Sequence, residues 1–174
     1  MTAEEFEQHP SSRWAELVDG VVIELMPAAP PHGIIAATIA LLLGNFVRPR
    51  HVGTVLVEGG FIIRRNPDTV RGPDVAFIRA ERMPTAPAPR GFWELAPDLV
   101  VEIISPSNTR AEVQTKIREY LEAGVPLVWS VDPDARTVEV VHSLYDRVLL
   151  SEDDVIHSDD VILGFSCPIR EIFE

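Results

Sequence analysis

The apolar residues of this chain fall into short runs separated by glycine, proline and aspartate, a pattern that predicts β-strands. The runs 99–104 and 125–131 are apolar almost throughout, as is typical of strands that are buried on both faces. An Asp-Gly pair separates the runs 14–18 and 21–25, and this pair favours a two-residue turn. We therefore predict a hairpin near the N-terminus and a buried sheet in the second half of the chain.

Further strands are predicted from other apolar runs. Residues 54–65 form either one long strand or a pair of strands, with a bulge or a tight turn at Gly59-Gly60. The run 73–79 begins with a proline, which the first position of a strand tolerates. Residues 136–143 and 146–151 are typical of a hairpin of edge-like strands.

The connecting segments are rich in turn-forming residues. Residues 66–72 predict a turn. Residues 80–97 predict a long proline-rich loop, and loops of this length often form lids or binding sites. The acidic segment 151–160 does not have the spacing of an EF-hand calcium loop, so we expect a solvated turn there.

Two helices are predicted in the first third of the chain. Thr2 and Glu5 form a capping box for a short first helix that ends near Pro10. Residues 34–47 are almost entirely apolar and predict a buried helix. The apolar stretch is shorter than the roughly 20 residues that a membrane span requires.

A second capping box begins a helix directly after the buried run 99–104. Thr109 and Glu112 form this box, and Gly124 is suited to end the helix. The tail 166–174 predicts a short helix with a proline at its start. The apolar stripe of the Thr109 helix consists of Val113, Ile117, Tyr120 and Leu121.

The order of the elements predicts the fold class. Strand, helix and strand over 99–131 form a βαβ-like unit, and the flanking hairpins make the sheet mixed. We predict an α/β (α+β) fold with a central mixed β-sheet flanked by helices. No stretch resembles a linker, so we expect one domain over 1–174.

Charge and cysteine content narrow the classes of function. The net charge is −12, which is unfavourable for a general nucleic-acid binder because such proteins contact phosphates with Lys and Arg. Nucleic-acid binding is not excluded, because basic residues cluster at 48–51 and at Arg64, Arg65 and Arg71. The single cysteine, Cys167, excludes an internal disulfide, and the acidic N-terminal segment is not a secretory signal. We therefore expect a cytoplasmic protein.

The run 99–104 carries a carboxylate, Glu102, in its middle. A buried carboxylate costs several kcal/mol unless a cation or hydrogen-bond donors meet it. Asp74 begins the run after Pro73, and it can approach Glu102 if the two strands are neighbours. Lys116 lies at the edge of the apolar stripe of the following helix and can turn toward the sheet. Glu16 is a further charged residue among apolar neighbours.

Several motifs together resemble the Uma-two family of restriction-endonuclease-like proteins. Pro73-Asp74, followed 28 residues later by Glu102 in a buried strand, resembles the PD-(D/E)xK nucleases. The wider likeness covers 16–132. It consists of "AELVDGVV", "PPHG" before the apolar helix, "RGPDVAFI", "APDLVVEIISPSNTR", a helix with Lys116 and Tyr120, "AGVPLVW" and "VDP".

The resemblance implies a restriction-endonuclease-like fold and Mg²⁺-dependent cleavage of phosphodiester bonds in DNA, with Mn²⁺ as a possible substitute. Asp74 and Glu102 would hold the metal, and the backbone carbonyl of Ile103 could be a further ligand. Lys116 would orient or polarise the attacking water, and Glu16 would be an auxiliary acid. The motif's lysine belongs two residues after Glu102, where this chain has isoleucine, so Lys116 would replace it from the following helix.

Other interpretations of these residues stay open. Asp98 is a second Pro-Asp upstream of Glu102, although we expect it to end the long loop. Lys116 could pair with Glu112 on the helix surface. Glu16 could be exposed on the hairpin, and His32 of "PHG" could cap the apolar helix or contact substrate.

The function also has an alternative. The same fold could be a catalytically inactive module that serves protein interaction or regulation. In either case we expect a homodimer, because the strands over 137–150 and the apolar helix 34–47 leave surface that a second copy could cover.

Overall fold

The computed structural model describes residues 1–27, 29–85, 90–106 and 108–174. The helices are α1 (Ala3–Glu7), α2 (Pro30–Arg50) and α3 (Arg110–Glu122). The strands are β1 (Ala15–Val18), β2 (Val21–Glu24), β3 (Gly53–Val57), β4 (Phe61–Arg64), β5 (Thr69–Arg71), β6 (Val75–Arg79), β7 (Leu99–Ile103), β8 (Val128–Asp132), β9 (Thr137–Val141), β10 (Arg147–Leu150), β11 (Val155–His157) and β12 (Ser166–Pro168).

A six-stranded mixed sheet in the order β10-β9-β8-β7-β6-β3 forms the centre of the fold. β7 and β8 run parallel, and α3 makes the crossover between them, as the βαβ pattern predicts. The other neighbouring strands in this sheet are antiparallel. All five residues of β7 are buried because α2 covers one face of the sheet and α3 covers the other. The predicted fold class is confirmed.

A second sheet of four strands has the order β2-β1-β5-β4. The predicted N-terminal hairpin is present, with positive φ angles at Asp19 and Gly20. Its inner face packs on α1 through Leu17, Val70 and Phe6. The capping box of α1 is also present.

In the middle of the chain, the structure selects one of two predicted alternatives and corrects a further prediction. Residues 54–65 divide into β3 and β4, which belong to different sheets, and the chain crosses at Gly59-Gly60. A side chain at position 60 would lie 2.3 Å from the ring of Phe92, so the crossing requires a glycine. The predicted turn 66–72 includes a strand, β5, which is too short to be recognised as an apolar run.

α2 is longer than predicted and is not buried on all sides. It begins at Pro30 and ends before His51, which has a positive φ angle. By length and composition α2 could cross a membrane, a weak criterion that core helices also meet. The opposite face exposes Ile34 and Leu41, each 62% accessible. The face toward the six-stranded sheet buries Ile35, Ala36, Ile39, Leu43 and Val47.

The last third of the chain contains the predicted β9–β10 hairpin, and β10 is an edge of the six-stranded sheet. The segment expected to be a solvated turn includes β11, which pairs with β12. β11 buries Ile156 against the core on the α2 side of the large sheet, which explains a strand in an acidic segment. The tail forms a 3₁₀ turn over Ile169–Ile172.

Candidate active site

The end of β7 places Glu102 on the face of the large sheet that α3 covers. β6 and β7 are antiparallel neighbours, with Val75 opposite Val101 and Ala76 opposite Val100. Continuing this register by one residue places Asp74 opposite Glu102. The predicted approach of the two carboxylates therefore follows from the pairing of their strands.

Glu102 receives two donors from α3. The Tyr120 hydroxyl donates to Glu102 Oε1 at 2.6 Å, and Lys116 Nζ donates to Oε2 at 3.2 Å. Burial raises the pKa of Glu102 to about 7; Lys116 opposes this rise, whereas the charges of Asp74 and Glu16 add to it. Glu102 is thus a carboxylate whose negative charge the surrounding protein compensates only in part.

Lys116 lies between two carboxylates from different sheets. Its Nζ is 3.2 Å from Glu102 Oε2 and 3.2 Å from Glu16 Oε1. Burial opposes the ammonium charge, but Glu102 and Glu16 outweigh burial and raise the pKa of Lys116 above its ordinary value. The alternative of a surface pair with Glu112 does not hold, because the Glu112 side chain accepts from the Thr109 backbone at the helix start.

Glu16 is buried, with 2% of its surface accessible, so the interpretation as an exposed hairpin residue is wrong. The alternation along β1 turns Leu17 toward α1 and Glu16 toward α3. Glu16 Oε2 accepts from Arg71 Nη1 at 2.6 Å, and Oε1 accepts from the Gly72 amide at 3.2 Å in addition to Lys116. Both oxygens are therefore engaged by the protein itself.

Arg71 connects the two sides of this cluster. Besides Glu16, it binds Glu119 on α3, with Nε at 2.8 Å and Nη2 at 2.5 Å from Glu119 Oε2. The sequence placed Arg71 in a basic cluster but did not reveal this partner, because β5 was not recognised. Tyr120 was assigned to the apolar stripe, and its hydroxyl has the further task of binding Glu102.

Asp74 lies at the rim of the cluster and is bound from the opposite face of the sheet. Asp74 Oδ2 accepts from the Ile103 amide at 2.6 Å and lies 3.3 Å from His32 Nε2. The hydrogen bond with Asp74 raises the pKa of His32 despite partial burial. His32 lies in the first turn of α2, and the start of this helix places it next to the start of β6 and the end of β7.

Asp98, the competing Pro-Asp residue, has a different environment. It is 3% accessible, and its carboxylate accepts from the Arg79 amide at 2.9 Å and from Arg82 Nη1 at 2.8 Å. These contacts join the end of the long loop to β6 and to the 3₁₀ turn Ala80–Arg82 that follows it. This placement matches the expectation that Asp98 ends the loop.

The donor set of the cluster is small. Among the residues that the model describes, no group of three or more His, Cys, Asp or Glu side chains is arranged to hold a metal ion. Asp74 and Glu102 form a pair of carboxylates, and proteins commonly bind Mg²⁺ through one or two carboxylates while waters and substrate phosphates complete the shell. The pair therefore fits Mg²⁺ but not a metal that requires a complete protein cage.

Comparisons with known proteins identify the family and the fold. A family model described as "Putative restriction endonuclease" (Uma2, the Uma-two family) matches residues 3–170. A crystal structure described as a "putative nuclease belonging to DUF820", from Anabaena variabilis ATCC 29413, is similar to this chain with a TM-score of 0.87. The two chains are 21% identical, and the alignment covers 99% of this chain and 97% of the other. A comparison with curated protein sequences gave no match. Because the family model spans nearly the whole chain, this protein belongs to the Uma2 family of putative restriction endonucleases.

Proposed function

We propose that the protein is a Mg²⁺-dependent endonuclease that hydrolyses phosphodiester bonds in DNA. Membership in the Uma2 family supports a nuclease. The observation that carries the proposal is the buried carboxylate Glu102, which lies beside Asp74 and within 3.2 Å of Lys116. Two carboxylates and an amine at one sheet edge are the side chains that metal-assisted phosphoryl chemistry uses.

Asp74 and Glu102 would hold the Mg²⁺ ion, and Mn²⁺ would be a substitute. The raised pKa of Glu102 supports this assignment, because a cation near the buried carboxylate would favour its ionised form. When bound, the metal would supply Lewis-acid activation of the phosphate and of a water molecule. His32 and the Ile103 amide fix the orientation of Asp74 at the mouth of the site.

Lys116 is the proposed catalytic amine. Its side chain is 23% accessible, and its Nζ lies 3.2 Å from Glu102 Oε2, so the amine is held beside the proposed metal ligands. There it would orient the attacking water and offset the charge that develops on the phosphate. Lys116 on α3 would thus supply the positive charge that the nuclease motif places two residues after Glu102, where this chain has Ile104.

Glu16 would act through Lys116. Its oxygens accept from Arg71, the Gly72 amide and Lys116, which leaves it poorly suited to bind a metal. In place of the auxiliary metal acid that the family resemblance implies, we assign Glu16 the task of holding the lysine in position.

A second candidate function is a catalytically inactive module for protein interaction or regulation. The net charge of −12 favours this alternative. The two carboxylates that already pair with Lys116 favour it as well. Titration of Mn²⁺ by calorimetry separates the two. A nuclease binds the ion in wild type and loses binding in Asp74→Asn and Glu102→Gln, whereas an inactive module shows no binding that depends on these residues.

The direct test is nicking of supercoiled plasmid DNA with Mg²⁺ or Mn²⁺. Wild type should nick, and Asp74→Asn and Glu102→Gln should lose nicking although both substitutions keep the size of the side chain. The control is Glu122→Gln, an exposed acid at the end of α3 outside the cluster. Equal nicking by all four proteins would refute the site assignment.

A further inference from the structure

A groove of about 350 Å³ lies near the candidate active site and takes no part in the chemistry proposed above. It opens where the chain crosses from β3 to β4, and its other wall comes from the segment before β1 and the end of the long loop. Its volume falls within the range of pockets that hold small molecules or single groups of a larger ligand. The lining includes Ser12, Arg13, Gly59, Arg90, Phe92 and Trp93.

The two arginines of the groove are free cations. Arg13 and Arg90 are both exposed, and across the described residues neither has an ion pair or hydrogen bond to another side chain. Arg65 and Arg71, by contrast, are each held by two or more carboxylates. One acid, Glu7, also lines the groove, so the arginines outnumber it. In a chain with a net charge of −12, two unpaired arginines on one groove form a local positive site that would attract an anionic ligand.

The aromatic wall of the groove is held in place by the fold. Trp93 packs edge-on against Phe61 at 6.4 Å between ring centroids, and Phe92 stacks on Phe6 at 5.4 Å. The Trp93 amide donates to the Gly60 carbonyl, and the Trp93 carbonyl accepts from the Ile62 amide. The wall is therefore formed before any ligand arrives. Aromatic side chains beside arginines are the usual platform for the bases and phosphates of single-stranded nucleic acid.

The groove adjoins the carboxylate cluster through two short connections. A Cβ atom built on Gly72 would lie 4.0 Å from the Gly59 carbonyl, and the Gly72 amide donates to Glu16. The Glu58 amide donates to the Asp74 carbonyl. These backbone contacts place the Gly59 side of the groove next to the segment that carries Asp74.

We propose that this groove binds a single-stranded segment of the nucleic acid on which the carboxylate cluster acts. Phosphates bind Arg13 and Arg90, and a base lies against Phe92 and Trp93. This inference rests on the nuclease function proposed above, and it names the substrate as a strand that is unpaired beside the cleavage site. The acidity of the rest of the chain keeps this binding modest and dependent on salt.

The test is fluorescence anisotropy with a labelled single-stranded oligonucleotide in EDTA, so that no cleavage occurs. The Arg13→Gln, Arg90→Gln double variant should bind roughly 5- to 30-fold more weakly than wild type, as expected for two solvent-accessible phosphate contacts. The slope of log affinity against log salt should fall by about 1.4, because each phosphate contact to a single strand contributes roughly 0.7. The matched control is Arg118→Gln, an exposed arginine on α3 that does not line the groove.

The outcomes separate this proposal from the nuclease proposal. Equal binding by the double variant and by the Arg118→Gln control would refute the proposal that the groove binds single-stranded nucleic acid. Tighter binding of a duplex than of the single strand would refute it as well. Asp74→Asn should keep the binding and lose the nicking. If nicking depends on Asp74 but not on the two arginines, the nuclease proposal is supported and the groove proposal is refuted. If binding depends on the arginines but neither wild type nor any variant nicks the plasmid, the groove proposal is supported and the nuclease proposal is refuted.

Discussion

Arg71 is the residue whose removal should damage the protein most without touching its apolar core. Its guanidinium is 7% accessible and binds Glu16 on one side and Glu119 on the other. In Arg71→Met, Glu16 would stay buried, with the Gly72 amide and Lys116 as its remaining donors. Removing one partner of a buried ion pair costs about 3–5 kcal/mol because the other charge stays uncompensated.

The magnitude can be measured by urea unfolding. With a slope of about 2 kcal/mol per molar urea, the midpoint should fall by roughly 1.5–2.5 M. The control is Arg136→Met, which removes an ion pair to Glu152 in which both side chains are 43% accessible. Exposed pairs of this kind contribute at most about 1 kcal/mol.

A second substitution identifies the cause. Adding Glu16→Gln to Arg71→Met removes the uncompensated charge, so the double variant should recover at least about 1 kcal/mol of the loss. If Arg71→Met costs no more than Arg136→Met, or if Glu16→Gln deepens the loss, the buried ion pair does not stabilise the contact between β1 and α3.

Three further predictions follow from the same geometry. Since the folded state raises the pKa of Glu102 from 4.5 to about 7, wild type should lose up to about 3 kcal/mol of stability as the pH rises through this window. In Glu102→Gln, thermal unfolding should show a flatter profile between pH 5 and 7, and an unchanged profile would contradict the pKa argument. Lys116→Met should bind Mn²⁺ in calorimetry but fail to nick plasmid, and retained nicking would remove the lysine from the chemistry. Sedimentation of wild type should show a homodimer that Ile34→Glu, Leu41→Glu on the exposed face of α2 converts to the 19.3 kDa monomer, whereas a monomeric wild type would refute the dimer.

The sequence predicted the elements whose signals are local. The capping box at Thr109 and Glu112 and the Asp-Gly turn of the first hairpin are each encoded within a few neighbouring residues, and both are present. The buried run around Glu102 was long enough to predict β7 and its acid. Asp74 lies close to Glu102 because β6 and β7 are neighbouring strands, a pairing that the sequence analysis states only as a condition.

Other features depend on distant parts of the chain and had no local signal. β5 has three residues, and it is a strand because β1 and β4 supply partners on both sides. Because the sequence does not predict β5, it does not predict the ion pairs of Arg71 with Glu16 and Glu119. The sequence predicts that the apolar helix leaves surface for a second copy, but an all-apolar helix gives no indication of which side faces the sheet.

Lys116 binds Glu102 of the six-stranded sheet and Glu16 of the four-stranded sheet at the same time. The Lys116 amine therefore keeps both carboxylate partners only while the two sheets are packed together. A chain in which the N-terminal hairpin has separated would still contain Asp74 and Glu102 on adjacent strands, but its lysine would have lost one of the two groups that hold it. Such a partly folded chain would lack an assembled site, so cleavage would be confined to fully folded molecules. For the nuclease function proposed above, this dependence would keep partly folded chains inactive.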